Sequence, residues 1–149
     1  MDVIWHDLHH SELSTRQLYA ILALRCAVFV VEQACPYQDV DGLDLVAENR
    51  HILAMQGEEL MACARILAPE EATGAVAIGR VIVSPRARGR YLGNRLMEQT
   101  LLSCERHWPQ RGIYLSAQAH LQNFYRRHGF ESCGEIYLED NIPHIDMRK

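Results

Sequence analysis

Apolar positions recur along this chain in two periods, and the switches between them divide it into elements. Val3 to Trp5 is a short apolar run that predicts a first strand. Ser14 stands as an N-cap, and Leu18, Ile21, Leu22, Arg25, Cys26 and Phe29 follow at helical spacing, predicting a helix from Thr15 to about Val30. The Cys35-Pro36 step and the Asp41-Gly42 pair break that pattern, so residues 34–49 read as a loop. His51 to Gln56 and Leu60 to Leu67 are apolar runs split by Gly57-Glu58-Glu59, the spacing of a hairpin, and Val76 to Val83 adds a third strand to make an antiparallel meander. Leu92, Leu96, Met97, Thr100, Leu101 and Cys104 mark a helix that ends near Trp108-Pro109. Ile113 to Ala117 reads as a strand, Leu121 to His128 as a helix closed by Gly129 at its C′ position, and Ile136 to Leu138 and His144 to Met147 as strands. The resulting order, βαβββαβαββ, is that of an α/β chain, and no repeat or linker interrupts it.

Composition narrows the function classes. At 149 residues the chain is one domain, 1–149, with 48% hydrophobic and 23% charged residues, as in an ordinary globular protein. A net charge of -4 disfavours general binding to nucleic acid or an anionic membrane, which need a broad positive field. The five cysteines form no C-x-x-C pair, and the odd count fits a reducing cytoplasm better than a disulfide framework; Cys26 and Cys104 fall on apolar helix faces and read as core. No apolar run approaches the roughly 18 residues of a membrane span, and the start of the chain does not read as an export signal. His6, His9 and His10 lack the companions of a metal site, and Asp39, Asp41 and Asp44 miss the spacing of a calcium loop, so no metal is expected.

Charge is unevenly placed. Arg86, Arg88, Arg90 and Arg95 crowd one stretch, where a strand ending at Val83 runs through a Gly-bearing turn straight into a helix. Exposed amides at a helix start, the helix dipole and nearby guanidinium groups make an anion site there. A Walker-type loop is excluded, since no G-K-[ST] follows, and a dinucleotide fingerprint is matched only by Gly89 and Gly93.

Arg88-Gly89-Arg90-Tyr91-Leu92-Gly93 resembles the phosphate-binding signature [QR]-x-x-G-x-[GA] of the GNAT acyltransferase superfamily at its first and last positions, with Tyr91 standing where the signature has its middle Gly. Tyr125-Arg126-Arg127-His128-Gly129-Phe130 is similar to the second signature, Y-x-x-x-G-F. Val28 to Gln33, Cys35 to Gln38, Gln118 to His120 and Ile142 to Ile145 look like the ElaA-like branch in particular, so the resemblance covers nearly the whole chain. It implies a mixed, mostly antiparallel sheet flanked by helices, and an enzyme that transfers an acetyl group from acetyl-CoA to an amine acceptor. It implies that the strand before the turn splits from its neighbour, that Val81, Ile82 and Val83 offer backbone groups to the pantetheine arm, and that Arg88, Gly89, Arg90, Tyr91, Leu92, Gly93 and Asn94 hold the pyrophosphate, with Asn123 also at the coenzyme. Superfamily members often pair through C-terminal strands, which makes a homodimer compatible with this chain.

The chemistry sets two further demands. A lysine-like amine with pKa near 10.4 is a free base in roughly one molecule in a few thousand at pH 7, so a group must take its proton, and the departing thiolate needs a donor. By the resemblance Tyr125 is that donor; the bare sequence equally offers an aromatic packing residue beside Phe124 and Phe130. Glu32, His51 and His144 are the candidate bases, each also readable as an ion pair, a cap or a buried structural histidine. Arg80 could face the acceptor pocket or make an outward salt bridge, and the acidic loop of Asp39, Asp41 and Asp44 either borders that pocket and favours cationic amines or is a solvated turn. The alternative to an enzyme is an acyl-CoA-binding sensor that has lost turnover.

Overall fold

The computed structural model describes residues 2–72 and 74–149. β1 (Ile4–His9), α1 (Thr15–Arg25), β2 (Arg50–Gln56), β3 (Glu59–Leu67), β4 (Val76–Val83), α2 (Leu92–His107), β5 (Ile113–Gln118), α3 (Gln122–Arg126), β6 (Glu131–Glu139) and β7 (Ile142–Arg148) follow the expected order. The strands form one seven-stranded sheet in the order β1-β2-β3-β4-β5-β7-β6, antiparallel except for the β4/β5 pair. Among the described residues no helix is long and apolar enough to cross a membrane.

Two apolar layers sandwich the first half of the sheet. On one face Leu92, Leu96, Met97 and Cys104 of α2 pack on Ile52, Ala64, Ile66, Val76 and Ile78, and on the other Ile21 and Val28 pack on Leu53, Cys63 and Ile82. Because both faces are covered, β3 is buried from Leu60 to Ile66 and reads as a continuous apolar run interrupted only by Arg65. β5 and β7 bury a face in the α2-side layer through Leu115, Ala117, Ile145 and Met147, and β6 is exposed along its whole length.

The first helix departs from expectation in a way that matters for the site. Ser14 caps it as the sequence predicts, its Oγ accepting from the Gln17 amide at 3.0 Å while Gln17 Oε1 accepts from the Ser14 amide at 2.8 Å. Past Arg25, however, the coil widens into a π-helix over Cys26–Glu32, with the Gln33 amide reaching back to the Val28 carbonyl at 3.0 Å and Cys35 to Val30 at 3.1 Å. The wider turn rotates the buried stripe, so Val28 takes the inward place and Cys26 is exposed, contrary to the core position its helical spacing predicts. Cys104 is buried as expected.

Shifts elsewhere are smaller. β1 and β6 run beyond their apolar cores because polar residues such as His6 and Glu131 pair on the backbone as well as apolar ones do. The predicted 121–128 helix is a 3₁₀ turn, Ala119–Leu121, followed by the short α3. Gly129 closes α3 with φ +91°, the Phe130 amide bonding to the Tyr125 carbonyl and the Gly129 amide to Arg126, the paired bonds of a Schellman cap.

Candidate active site

β4 and β5 pair only through Val76–Ile113 and Ala77–Tyr114, then part. From Ile78 onward one edge of β4 faces open space. A bulge contributes: the register with β3 shifts between Gly79 and Ile82, and Arg80 occupies the left-handed region at φ +52°. The extra residue exchanges the faces of the strand, so Val76 and Ile78 before it, and Val81 and Val83 after it, all lie toward α2, whereas Ile82 faces α1.

The Ser84 amide donates to the Met61 carbonyl of β3 at 2.8 Å. By the alternation of an antiparallel ladder, Ile82 also turns its backbone groups to β3, and Val81 and Val83 turn theirs into the gap. Of the three residues expected to serve a pantetheine arm, Val81 and Val83 therefore face the gap and Ile82 is committed to the ladder.

The gap runs into the turn expected to hold phosphate. Gly89 has φ +80°, and Tyr91, at φ +58° and ψ 12°, is the N-cap of α2 but makes no side-chain cap bond. The first intrahelical bond is Arg95 to Tyr91 at 3.2 Å, so the amides of Leu92, Gly93 and Asn94 have no carbonyl within the helix. Tyr91 adopts the left-handed conformation that the signature's Gly takes without steric cost, and at 80% exposure its ring turns to solvent, away from those amides. A Cβ at Gly93 would meet the Phe124 ring of α3 at 3.6 Å and Val83 of β4 at 3.7 Å, so the helix start packs beside both over the gap.

A cleft of about 1010 Å³ follows this gap, lined by the π-helix end, β4, β5, α3 and the β6–β7 hairpin. Tyr125 lines it, buried, and its hydroxyl has no hydrogen-bond partner among the described residues. Burial pushes the phenol up to about 12, so it keeps its proton throughout the neutral range. Asn123, two residues before it on α3, does not line the cleft; its Oδ1 accepts from Arg126 at 3.1 Å.

The three candidate bases separate. His51 is buried outside the cleft, its Nε2 2.9 Å from the Asp44 carbonyl; desolvation holds the ring's proton affinity down despite that bond, and the residue is structural. Glu32 lines the cleft but is held by Arg88 in a bidentate pair, 2.7 Å at both oxygens. Those hydrogen bonds, with the charge of Arg88, lower its carboxyl below the usual range and make it a poor proton acceptor at neutral pH. Arg88 Nε also donates to the Val83 carbonyl at 3.3 Å, so that gap-facing group of β4 is already taken. His144 lines the cleft wall on β7, with Nδ1 2.7 Å from the Ile142 carbonyl.

The acidic loop is neither solvated nor free. Asp44 accepts from Arg25 at 2.5 Å and Arg65 at 3.1 Å, Asp41 accepts two bonds from Arg65 at 2.9 Å, and Asp39 accepts from Arg25 at 2.8 Å. Arg80 both lines the cleft and pairs with this loop, its Nε 2.9 Å from Asp39 Oδ1 and its guanidinium over the Tyr37 ring. The signal in the sequence was Arg25, a charged residue on the apolar stripe of α1, which is fully buried. No cluster of three or more metal-ligating side chains occurs among the described residues.

A sequence model described as "Acetyltransferase (GNAT) domain" matches residues 23–149. The chain belongs to the GNAT family, on its ElaA-like branch. Protein ElaA of Escherichia coli strain K12 is 59% identical over 145 residues, 97% of this chain and 95% of that protein. The crystal structure of Escherichia coli ElaA superposes with a TM-score of 0.95 at 57% identity, covering 99% of both chains. An acyl-CoA N-acyltransferase from Pseudomonas aeruginosa gives 0.95 at 52% identity, again over 99% of both. This GNAT protein is an acyl-CoA-dependent N-acyltransferase, with acyl-CoA as co-substrate and an amine as acceptor. Beside the cleft the chain carries a β4 edge released from β5, a helix start with uncapped amides and the Arg88 guanidinium between them.

Proposed function

We propose that this protein transfers an acetyl group from acetyl-CoA to a primary amine of a small molecule or protein by direct attack, with both substrates held in the cleft. The observation that carries the reading is the parting of β4 from β5 beside the uncapped start of α2. Val81 and Val83 bond the pantetheine amides, and the amides of Leu92, Gly93 and Asn94 take the pyrophosphate, with Gly89 allowing the turn. Arg88, Arg90 and the backbone of Tyr91 border that group, and Asn123 flanks it from α3. The bound thioester supplies an activated acyl carbon, and a free amide of β4 beyond the bulge polarises its carbonyl.

Tyr125 gives its proton to the sulfur, a role that its unpartnered hydroxyl and retained proton support. His144 accepts the proton of the amine. Five free cysteines fit a reducing compartment, and we place the protein in the cytoplasm. The test is calorimetric titration with acetyl-CoA followed by free-thiol assay against a panel of primary amines. Micromolar binding and thiol release that depends on an amine are expected; binding with no release from any amine defeats the reading.

A further inference from the structure

His144 is more constrained than a cleft-wall histidine needs to be. Its Nδ1 lies 2.7 Å from the Ile142 carbonyl, which can only accept, so Nδ1 carries the hydrogen and the neutral ring has its lone pair on Nε2. Nε2 is 3.4 Å from Glu139 Oε2; the histidine side chain is 11% exposed and the carboxylate 52%. The ring stacks on Tyr137, its direct cross-strand partner, with centroids 6.3 Å apart and planes at 26°.

Tyr137 is itself fixed. Its hydroxyl donates to Asp146 Oδ1 at 2.6 Å and accepts from Ser116 Oγ at 2.5 Å, and the same Asp146 oxygen accepts from Tyr114 at 2.9 Å. The hairpin turns on Asp140 and Asn141, both left-handed at φ +48° and +65°, which sets Glu139 against Ile142 and Tyr137 against His144. Its tip is pinned from outside the sheet, where Cys35 Sγ donates to the Asp140 carbonyl at 3.2 Å.

We propose that Glu139 and Tyr137 are positioning residues which hold the His144 ring, its Nε2 edge beside Glu139, at the acceptor end of the cleft, where Nε2 takes the proton of the attacking amine. The proposal rests on the acyltransfer reading above. As the nitrogen lone pair closes the new C–N bond, the C–S pair leaves with sulfur; the amine proton goes to His144 Nε2 and the sulfur receives one from Tyr125. Exchange with water resets both residues, and the positive charge on imidazole is balanced by Glu139 as it forms. The other charged or titratable groups about the ring are Asp140 at the turn, His120 from the 3₁₀ turn, Cys35 beside the tip and Asp146 one pair along β7. Arg80 and Arg88 across the cleft are already paired with carboxylates.

The experiment is the measurement of kcat and KM for the best amine in the wild type, His144→Gln, Glu139→Gln, Glu139→Asp and Tyr137→Phe, with acetyl-CoA affinity measured on each. His144→Gln loses about a hundredfold or more in kcat. Glu139→Gln lowers kcat by about threefold with KM little changed, the size of a half-exposed ion pair. Glu139→Asp restores the wild-type kcat, Tyr137→Phe lowers kcat more than it raises KM, and acetyl-CoA affinity is unchanged throughout. A Glu139→Gln enzyme with wild-type kcat overturns the proposal, as does an active His144→Gln enzyme. A wild type that binds acetyl-CoA but acylates no amine defeats the acyltransfer reading itself.

Discussion

At the residue scale, the cleft is governed by which charges are already spent. Glu32 and Arg88 have the right residue types for a base and a phosphate ligand, but they hold each other in two 2.7 Å bonds across the entrance to the gap. Any anion that seats on the α2 start competes with Glu32 for Arg88. Glu32→Gln therefore tightens acetyl-CoA binding about two- to fivefold, as expected for release of an exposed pair, and leaves kcat within about threefold. Calorimetry and steady-state rates on the variant check this; a large loss of kcat would return Glu32 to the role of base. Residue type is legible in a sequence, but pairing is not: Glu32 and Arg88 are 56 positions apart, and only the fold brings them together.

At the element scale, most of the scaffold follows from apolar period, since β2, β3, β4 and α2 are long, well patterned and covered. What the period misses is where an element changes pitch. Neither the π-helix at Cys26–Glu32 nor the bulge at Arg80 disturbs composition, yet each rotates a face and together they shape the cleft. Gly79-Arg80 was the available hint, a glycine within a strand. The loop of residues 34–49 carries the opposite lesson, since its aspartates read as solvent-facing until Arg25 is seen buried among them.

Burial raises the Asp44 carboxyl, but the hydrogen bonds and charge of Arg25, then Arg65, outweigh it and bring it down. Removing that charge leaves the buried Arg25 guanidinium with Asp39 as its remaining carboxylate and Arg65 with Asp41. Asp44→Asn is expected to destabilise the fold by about 3–5 kcal/mol in urea titrations. Asp41 is likewise raised by burial and brought down to about 2, chiefly by hydrogen bonds from Arg65 and the Leu43 amide. Its folded value lies below the unfolded one near 4, so its contribution is complete above about pH 4 and is lost as pH falls toward 2. Unfolding midpoints that stay flat from pH 5 to 2 would contradict this.

At the scale of the whole molecule, the sheet is asymmetric. Helices cover both faces of its first half but only one face of β5 and β7, so polar and aromatic side chains of the other face line the cleft beside the parting of β4 and β5. One side of that gap is lined by backbone groups of β4 and uncapped amides of α2, the other by His144, with Tyr125 buried between; in the proposed reaction the first side takes the acyl-CoA and the second the amine. The two short signatures at Arg88 to Gly93 and Tyr125 to Phe130 pointed in the sequence to the uncapped α2 start and to Tyr125 in the cleft. The opposite wall carries no such motif, because its residues come singly from a hairpin, a strand and a loop.

The most direct measurement is a single-turnover assay on Tyr125→Phe loaded with acetyl-CoA and mixed with a competent amine, beside the wild type. The acetyl-CoA Kd should stay within about twofold, since the ring and its packing remain, and thiol release should slow by about a hundredfold or more. Release at the wild-type rate, with acetyl-CoA still bound, would contradict the assignment of Tyr125 as the donor that discharges the thiol.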